Sequence, residues 1–158
     1  PETLPTFKQR MEPYRDRIGD AWFERAHPID LRHVDPSVTD PGVEPRSYTR
    51  LWLRADGTLP DDPMLHACVV TYASDMTLLD TTVTPHGYDS WIDDKLQMAT
   101  LDHAMWFHRP FRADDWLLYD QFTPSPSGSR GLAHGFLYAR TGELVVSVVQ
   151  EGLIRRPA

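Results

Sequence analysis

One cysteine, Cys68, stands alone in a chain of 158 residues. An internal disulfide is therefore excluded, and a lone thiol is typical of a reducing compartment, which makes cytoplasm the expected location. No apolar run is long enough to span a bilayer, and no positively charged start leads into an apolar segment. The ending Arg155-Arg156-Pro157-Ala158 does not resemble a peroxisomal or retention signal. Basic clusters are missing too. With a net charge of −7 and only the pair Arg155-Arg156 as a basic run, neither nucleic acid nor an anionic membrane is an expected partner.

Several chemistries are absent as well. There is no phosphate-binding loop and no dinucleotide fingerprint, and Gly128-Ser129-Arg130-Gly131 lacks the spacing of a hydrolase serine elbow. The seven histidines never fall four apart on a helix, so a zinc-protease site is not expected and no metal is called for.

The length fits one domain with a real core, and the aromatic content of 11% argues against disorder. The chain opens at Pro1 without methionine. Residues 1–28 are polar and proline-punctuated, and read as an interdomain linker or arm with short helices around Phe7–Tyr14 and Ile18–Arg25. Residues 29–158 form the expected domain. Ile29–Val34 and Ser47–Leu53 read as strands, with an irregular proline-containing loop between them. Pro60-Asp61-Asp62-Pro63 reads as a helix start, since aspartates suit the positive end of the helix dipole.

From Met64 to Val83 the pattern predicts one long helix. Leu65, Cys68, Val69, Tyr72, Met76 and Leu79 recur at three- and four-residue intervals on one face, which is the expected buried stripe, with Cys68 an inert buried thiol on it. Pro85 and Gly87 end the pattern. Four strands follow, Met98–His108, Trp116–Phe122, Leu132–Ala139 and Leu144–Ile154, joined by turns at Ser125–Ser129 and Arg140–Glu143. A buried helix followed by consecutive antiparallel strands is an α+β plan.

Asp75 is conspicuous in this pattern. On an ideal helix it falls between Cys68 and Leu79, so a carboxylate is expected inside the apolar stripe, where burial costs several kcal/mol unless donors offset it. Two plainer readings compete: the helix breaks near Ser74 and Asp75 caps a second segment, or Asp75 is a satisfied structural acid. Gln150 is a second anomaly, a side-chain amide inside the apolar run 144–154, where it needs partners unless it faces solvent. Thr100 carries almost no signal by itself, because threonine is a favoured strand residue. Asp102 and His103 are adjacent in a strand and point to opposite faces, so they do not form a simple acid–base pair.

Four segments, HACVVTYASDMTLL (66–79), TLDHAMWFHRPF (100–111), DWLLYDQ (115–121) and VVQEGLIR (148–155), resemble the C-terminal half of the acyl-CoA thioesterase II (TesB-like) family. The likeness runs from about Ile29 to Arg155. It implies a hotdog fold, a long helix wrapped by a curved antiparallel sheet, as the second half of a double hotdog. It further implies hydrolysis of acyl-CoA thioesters to free fatty acid and CoA, with Asp75, Thr100 and Gln150 as the catalytic trio holding a water. CoA would be part of the substrate, with no retained cofactor. The first hotdog is absent from this chain, so the expected partner is that missing N-terminal half or a second copy of the chain, in an oligomer. Two alternatives stay open: a hotdog acyl-CoA hydratase or dehydratase, which would need His103 or His134 beside Asp75, and a non-catalytic acyl-CoA-binding or assembly half.

Overall fold

The structure is a computed structural model that describes residues 1–156, without the side chains of Ser125 and Pro126; Pro157 and Ala158, the end of the expected domain, lie outside the described residues. Six strands form one antiparallel sheet: β1 (Ile29–His33), β2 (Tyr48–Ala55), β3 (Gln97–Phe107), β4 (Leu117–Ser127), β5 (Arg130–Ala139) and β6 (Leu144–Arg155). Their order across the sheet is β1-β2-β4-β5-β6-β3, so β3 crosses to the far edge after the helical segment that precedes it. The inner strands alternate, whereas β3 at the edge is mostly exposed. In β2 Leu51 and Leu53 are buried, in β5 Ala133 and Leu137, and in β6 Val146, Val148 and Gln150, with polar or partly exposed residues between them. That period of two marks a sheet with one face on the core.

One turn is tighter than the sequence suggests. β4 and β5 extend to Ser127 and Arg130. The expected turn over Ser125–Ser129 therefore shrinks to Gly128-Ser129, both at positive φ (62° and 60°), as a two-residue primed hairpin requires. The turn at Arg140–Glu143 is as expected, with Gly142 at φ 92° donating to the Ala139 carbonyl.

Three short helices, α1 (Phe7–Met11), α2 (Arg15–Ile18) and α3 (Asp20–Glu24), occupy the first 28 residues. Thr6 and Gln9 cap α1 reciprocally. Phe7, Met11 and Phe23 enter the same core as the sheet. Arg32 of β1 donates to the Leu4 carbonyl and Arg10 donates to the Asp35 carbonyl, so these residues pack along β1.

The principal helix differs from expectation in length and in face. It is α4, Pro63–Ser74, with Asp62 as N-cap accepting from the Met64 amide. Its buried residues are His66, Val70, Ala73 and Ser74, while Cys68 is exposed and Tyr72 is 60% exposed. The stripe read from Leu65, Cys68, Val69 and Tyr72 thus lies around the side of the helix and onto its outer face, and Cys68 is not a buried thiol. Beyond Ser74 the chain turns and continues as a 3-10 segment, Leu79–Thr82. The cause is close seating on the sheet. A Cβ on Gly131 would lie 2.6 Å from the Thr82 Cβ, and one on Gly152 would collide with Leu79. Hydroxyls add to this: Thr82 donates to the Leu79 carbonyl, a backbone acceptor, and Thr77 and Thr81 bond to the Gln121 side chain of β4. A straight helix through Val83 could not reach these contacts.

Candidate active site

The break after Ser74 leaves Asp75 as the C-cap of α4. A carboxylate there faces the negative end of the helix dipole, an arrangement disfavoured by about 0.3–1 kcal/mol. Its side chain is 54% exposed, so the expectation that it sits inside the buried stripe is corrected: it lies at the rim. The helix breaks at Ser74 as the alternative had it, but Asp75 ends α4 rather than capping a second segment, whose N-cap is Leu78. Offsetting donors reach it from two strands. Gln150 of β6 donates from Nε2 to Asp75 Oδ1 at 2.6 Å, and Thr100 of β3 donates from Oγ1 to the same oxygen at 3.1 Å. Gln150 Nε2 also donates to Thr100 Oγ1 at 2.7 Å. The three residues that the resemblance singles out are therefore in mutual contact.

Each partner is held by the sheet. Gln150 is fully buried on the helix-facing side of β6, paired with Ala133 of β5 and His103 of β3. Its Oε1 is buried with no hydrogen-bond partner among the described residues. The solvent-facing alternative for Gln150 is thus excluded. Thr100 pairs with Gly152 and Asp102 with Glu151, leaving Leu101 as a bulge. The extra residue flips the alternation, so Thr100 and His103, which an unbroken strand would put on opposite faces, both face the helix.

His103 is the residue that the sequence named only for the hydratase alternative. Its Nε2 lies 2.9 Å from Ser74 Oγ, and its Nδ1 lies 3.8 Å from Asp75 Oδ1 with no hydrogen-bond partner among the described residues. Ser74 Oγ donates its one proton to the Thr71 carbonyl, so its contact with His103 is made with the ring proton on Nε2. The only signal in the sequence that could have placed His103 in the site is the bulge, and nothing in Thr100-Leu101-Asp102 announces one. Asp102 does point away, accepting from the Glu151 amide. His134 stacks on Phe122 and takes no part in the trio's bonds.

Asp75, Thr100 and His103, with Thr71, Tyr72 and Met76, line an open cleft of about 320 Å³. Beneath it, Tyr119 donates to the Ser74 carbonyl, and its phenol is pushed well up, first by burial and then by the Asp75 charge. Farther along, the Asp80 carboxyl accepts from the Trp91 indole, and burial raises it to about 7. Among the described residues no group of three or more His, Cys, Asp or Glu is arranged to hold a metal ion, and no helix is long and apolar enough to cross a membrane.

Residues 20–153 match the family model for acyl-CoA thioesterase. The chain belongs to the acyl-CoA thioesterase family. It is 42% identical to human acyl-coenzyme A thioesterase 8 over 81% of its own length and 40% of that protein's. The crystal structure of an acyl-CoA thioesterase II from Mycobacterium marinum superposes with a TM-score of 0.71 at 45% identity, covering 90% of this chain and 54% of that one. A protein from Alicyclobacillus acidocaldarius described as having a hot dog fold superposes at 0.64 with 18% identity, covering 83% of this chain and 47% of that one, which bears on the fold alone. The curved sheet around α4 is thus a hotdog, and the chain spans about half the length of these relatives.

Proposed function

We propose that this chain carries the catalytic carboxylate of an acyl-CoA thioester hydrolase, with Asp75 as the base and Thr100 and Gln150 as the groups that fix it. The observation that carries the reading is the convergence of Thr100 and Gln150 on one oxygen of Asp75, beside an open cleft. Because the trio is bonded directly, the water belongs on the cleft side, at Oδ2, rather than between the three side chains. That water gives a proton to Asp75 as its oxygen adds to the thioester carbonyl carbon. The carbon–sulfur bond then breaks, and the CoA thiolate leaves with the proton. Two donors on Oδ1 hold the carboxylate plane, so Oδ2 does not have to be oriented at the moment of reaction. The reading draws on no retained cofactor, since CoA is part of the substrate.

The site is open on one side, and a second hotdog is the proposed cover. Along the outer face of α4 run Met64, Cys68 and Tyr72, and on the edge strand β3 lie Leu101, Trp106 and Phe107, with exposures of 71% for Met64 and about half for the aromatic pair. An unpaired edge strand beside a bare apolar helix face is a surface built for association. The cover is either an N-terminal half in a longer chain or a second copy.

Replacing Asp75 by Asn in the whole protein that contains this chain is expected to lower thiol release from acyl-CoA by about a hundredfold or more, with an unchanged unfolding midpoint. Near-normal turnover in the folded variant would end the proposal. Single turnover in heavy-oxygen water separates a directed water from a nucleophilic Asp75, since only the nucleophile acquires label in the protein.

A hydratase reading is favoured by one observation, the 3.8 Å approach of His103 to Asp75. Loss of enoyl-CoA absorbance without thiol release would select it.

A further inference from the structure

Met76 follows Asp75 directly and lines two cavities. One is the cleft that holds Asp75 and Thr100. The other is a groove of about 500 Å³ between the N-terminal helices and β1, with Phe7, Trp22, Trp91, Ile29 and Leu31 in its walls. Its size falls within the range of about 300–1,000 Å³ typical of ligand pockets. The aromatic walls are a braced set: Phe7 meets Trp22 edge-on at 5.7 Å and Trp91 at 4.9 Å. They are also anchored, since the Trp91 indole donates to the partly buried Asp80 and Phe7 is part of the core. Charged residues in the lining include Asp30 and Arg32, which pair with each other at 2.7 Å. Lys8 and Asp56 line the groove as well, so its apolar stretch is the wall formed by Phe7, Trp22, Trp91, Ile29 and Leu31.

Only one side chain, an unbranched thioether able to change rotamer at small cost, is shared by the two linings. Resting on the thioesterase reading, we infer that the groove holds the fatty acyl chain of the substrate, which runs from the thioester at Asp75 across Met76 and along Phe7, Trp22 and Trp91. Residues 1–28 then contribute the chain-length gauge of the enzyme, and Met76 is the residue that admits or stops the chain. An extended polymethylene tail suits flat indole and phenyl walls and the apolar floor of Ile29 and Leu31, and its burial supplies the binding energy.

The test replaces Met76 by Trp in the whole protein and compares thiol release from butanoyl-, octanoyl- and palmitoyl-CoA. The expected result is a fall of roughly tenfold or more in the ratio of kcat/KM for palmitoyl-CoA to that for butanoyl-CoA, whatever the variant does to both. Equal effects on all three chains, or none, would overturn the inference. A second readout needs neither turnover nor that variant. A thioether analogue of palmitoyl-CoA brominated in the distal half of its chain should quench tryptophan fluorescence more than the unbrominated analogue does. That difference should vanish in the Trp22→Phe, Trp91→Phe double variant. If the bromine adds no quenching, the groove does not hold the chain. Quenching without thiol release from any acyl-CoA would keep the groove and remove the thioesterase reading.

Discussion

Two fully buried glutamines face the helix side of the sheet, Gln121 on β4 and Gln150 on β6, and they are satisfied in different ways. Gln121 uses both ends of its amide: Oε1 accepts from Thr81 and Nε2 donates to Thr77. Its network is closed, and it pins the 3-10 segment to the sheet. Gln150 puts both of its bonds through Nε2, into Asp75 and Thr100, while Oε1 has no partner among the described residues. Burial of a polar side chain is common to both and distinguishes neither. What separates them is that one amide ends in hydroxyls of the core and the other in a half-exposed carboxylate on a cleft. A closed network rigidifies a fold, whereas one that terminates on a reactive group at solvent positions that group.

The largest effect that sharpens the contrast is kinetic. Gln150→Ala is expected to reduce turnover by roughly ten- to a hundredfold, since one preorganised donor is lost. Water from the open cleft can replace the lost bonds to Asp75 and Thr100, so the stability cost is about 1 kcal/mol. Gln121→Ala is expected to do the reverse. It leaves the Thr77 and Thr81 hydroxyls dry and unpaired and opens a void, costing roughly 2–4 kcal/mol in denaturant unfolding, with turnover per folded molecule unchanged. If the two variants behaved alike, the distinction between the glutamines would collapse.

Asp80 lies near the closed network and provides a smaller, pH-dependent effect. Its folded-state value, raised by burial to about 7 from an ordinary 3.8, means that the folded state binds this proton more tightly than the unfolded chain does. The stability it contributes is complete below about pH 4 and is lost as pH rises through 7. Asp80→Asn removes the titration, so unfolding free energy measured from pH 4 to 8 should decline less steeply in the variant. The difference should amount to roughly 2–4 kcal/mol at the alkaline end, since each tenfold gain in proton affinity on folding is worth about 1.4 kcal/mol. Parallel curves would mean that Asp80 is not buried as described.

The sheet was legible because strand periodicity is local. All six strands lie where β-branched and aromatic residues run between turn signals, and Gly128-Ser129 and Gly142 close two hairpins. The helix was less legible because apolar residues encircle it. Val70 and Ala73 pack inward while Met64, Cys68 and Tyr72 face outward, and periodicity alone cannot tell a core face from one that awaits a partner. Its early end was hidden for another reason. What stops α4 is the seating of Leu79 and Thr82 on Gly152 and Gly131, contacts made with strands far away in the chain. At the site, Asp75 and Gln150 stood out as polar residues in apolar company, but burial in the stripe is not what sets Asp75 apart. It is distinguished instead by a helix end that repels it and two strands that hold it. Thr100 entered only through family resemblance. His103 was named only for the hydratase alternative, and its place on the same face as Thr100 was hidden because one bulged residue, Leu101, reverses the face of everything after it, and no composition rule predicts that.

The central claim is that Asp75, Thr100 and Gln150 act as one unit rather than as three independent contributors. Turnover of Asp75→Asn, Gln150→Ala and the double variant, measured on the whole protein with a fixed acyl-CoA, tests it most directly. A donor whose only task is to hold the base has nothing to hold once the base is gone, so the double variant should match Asp75→Asn to within about threefold. A double variant slower by the full product of the two separate losses would show that Gln150 works apart from Asp75, contradicting the account.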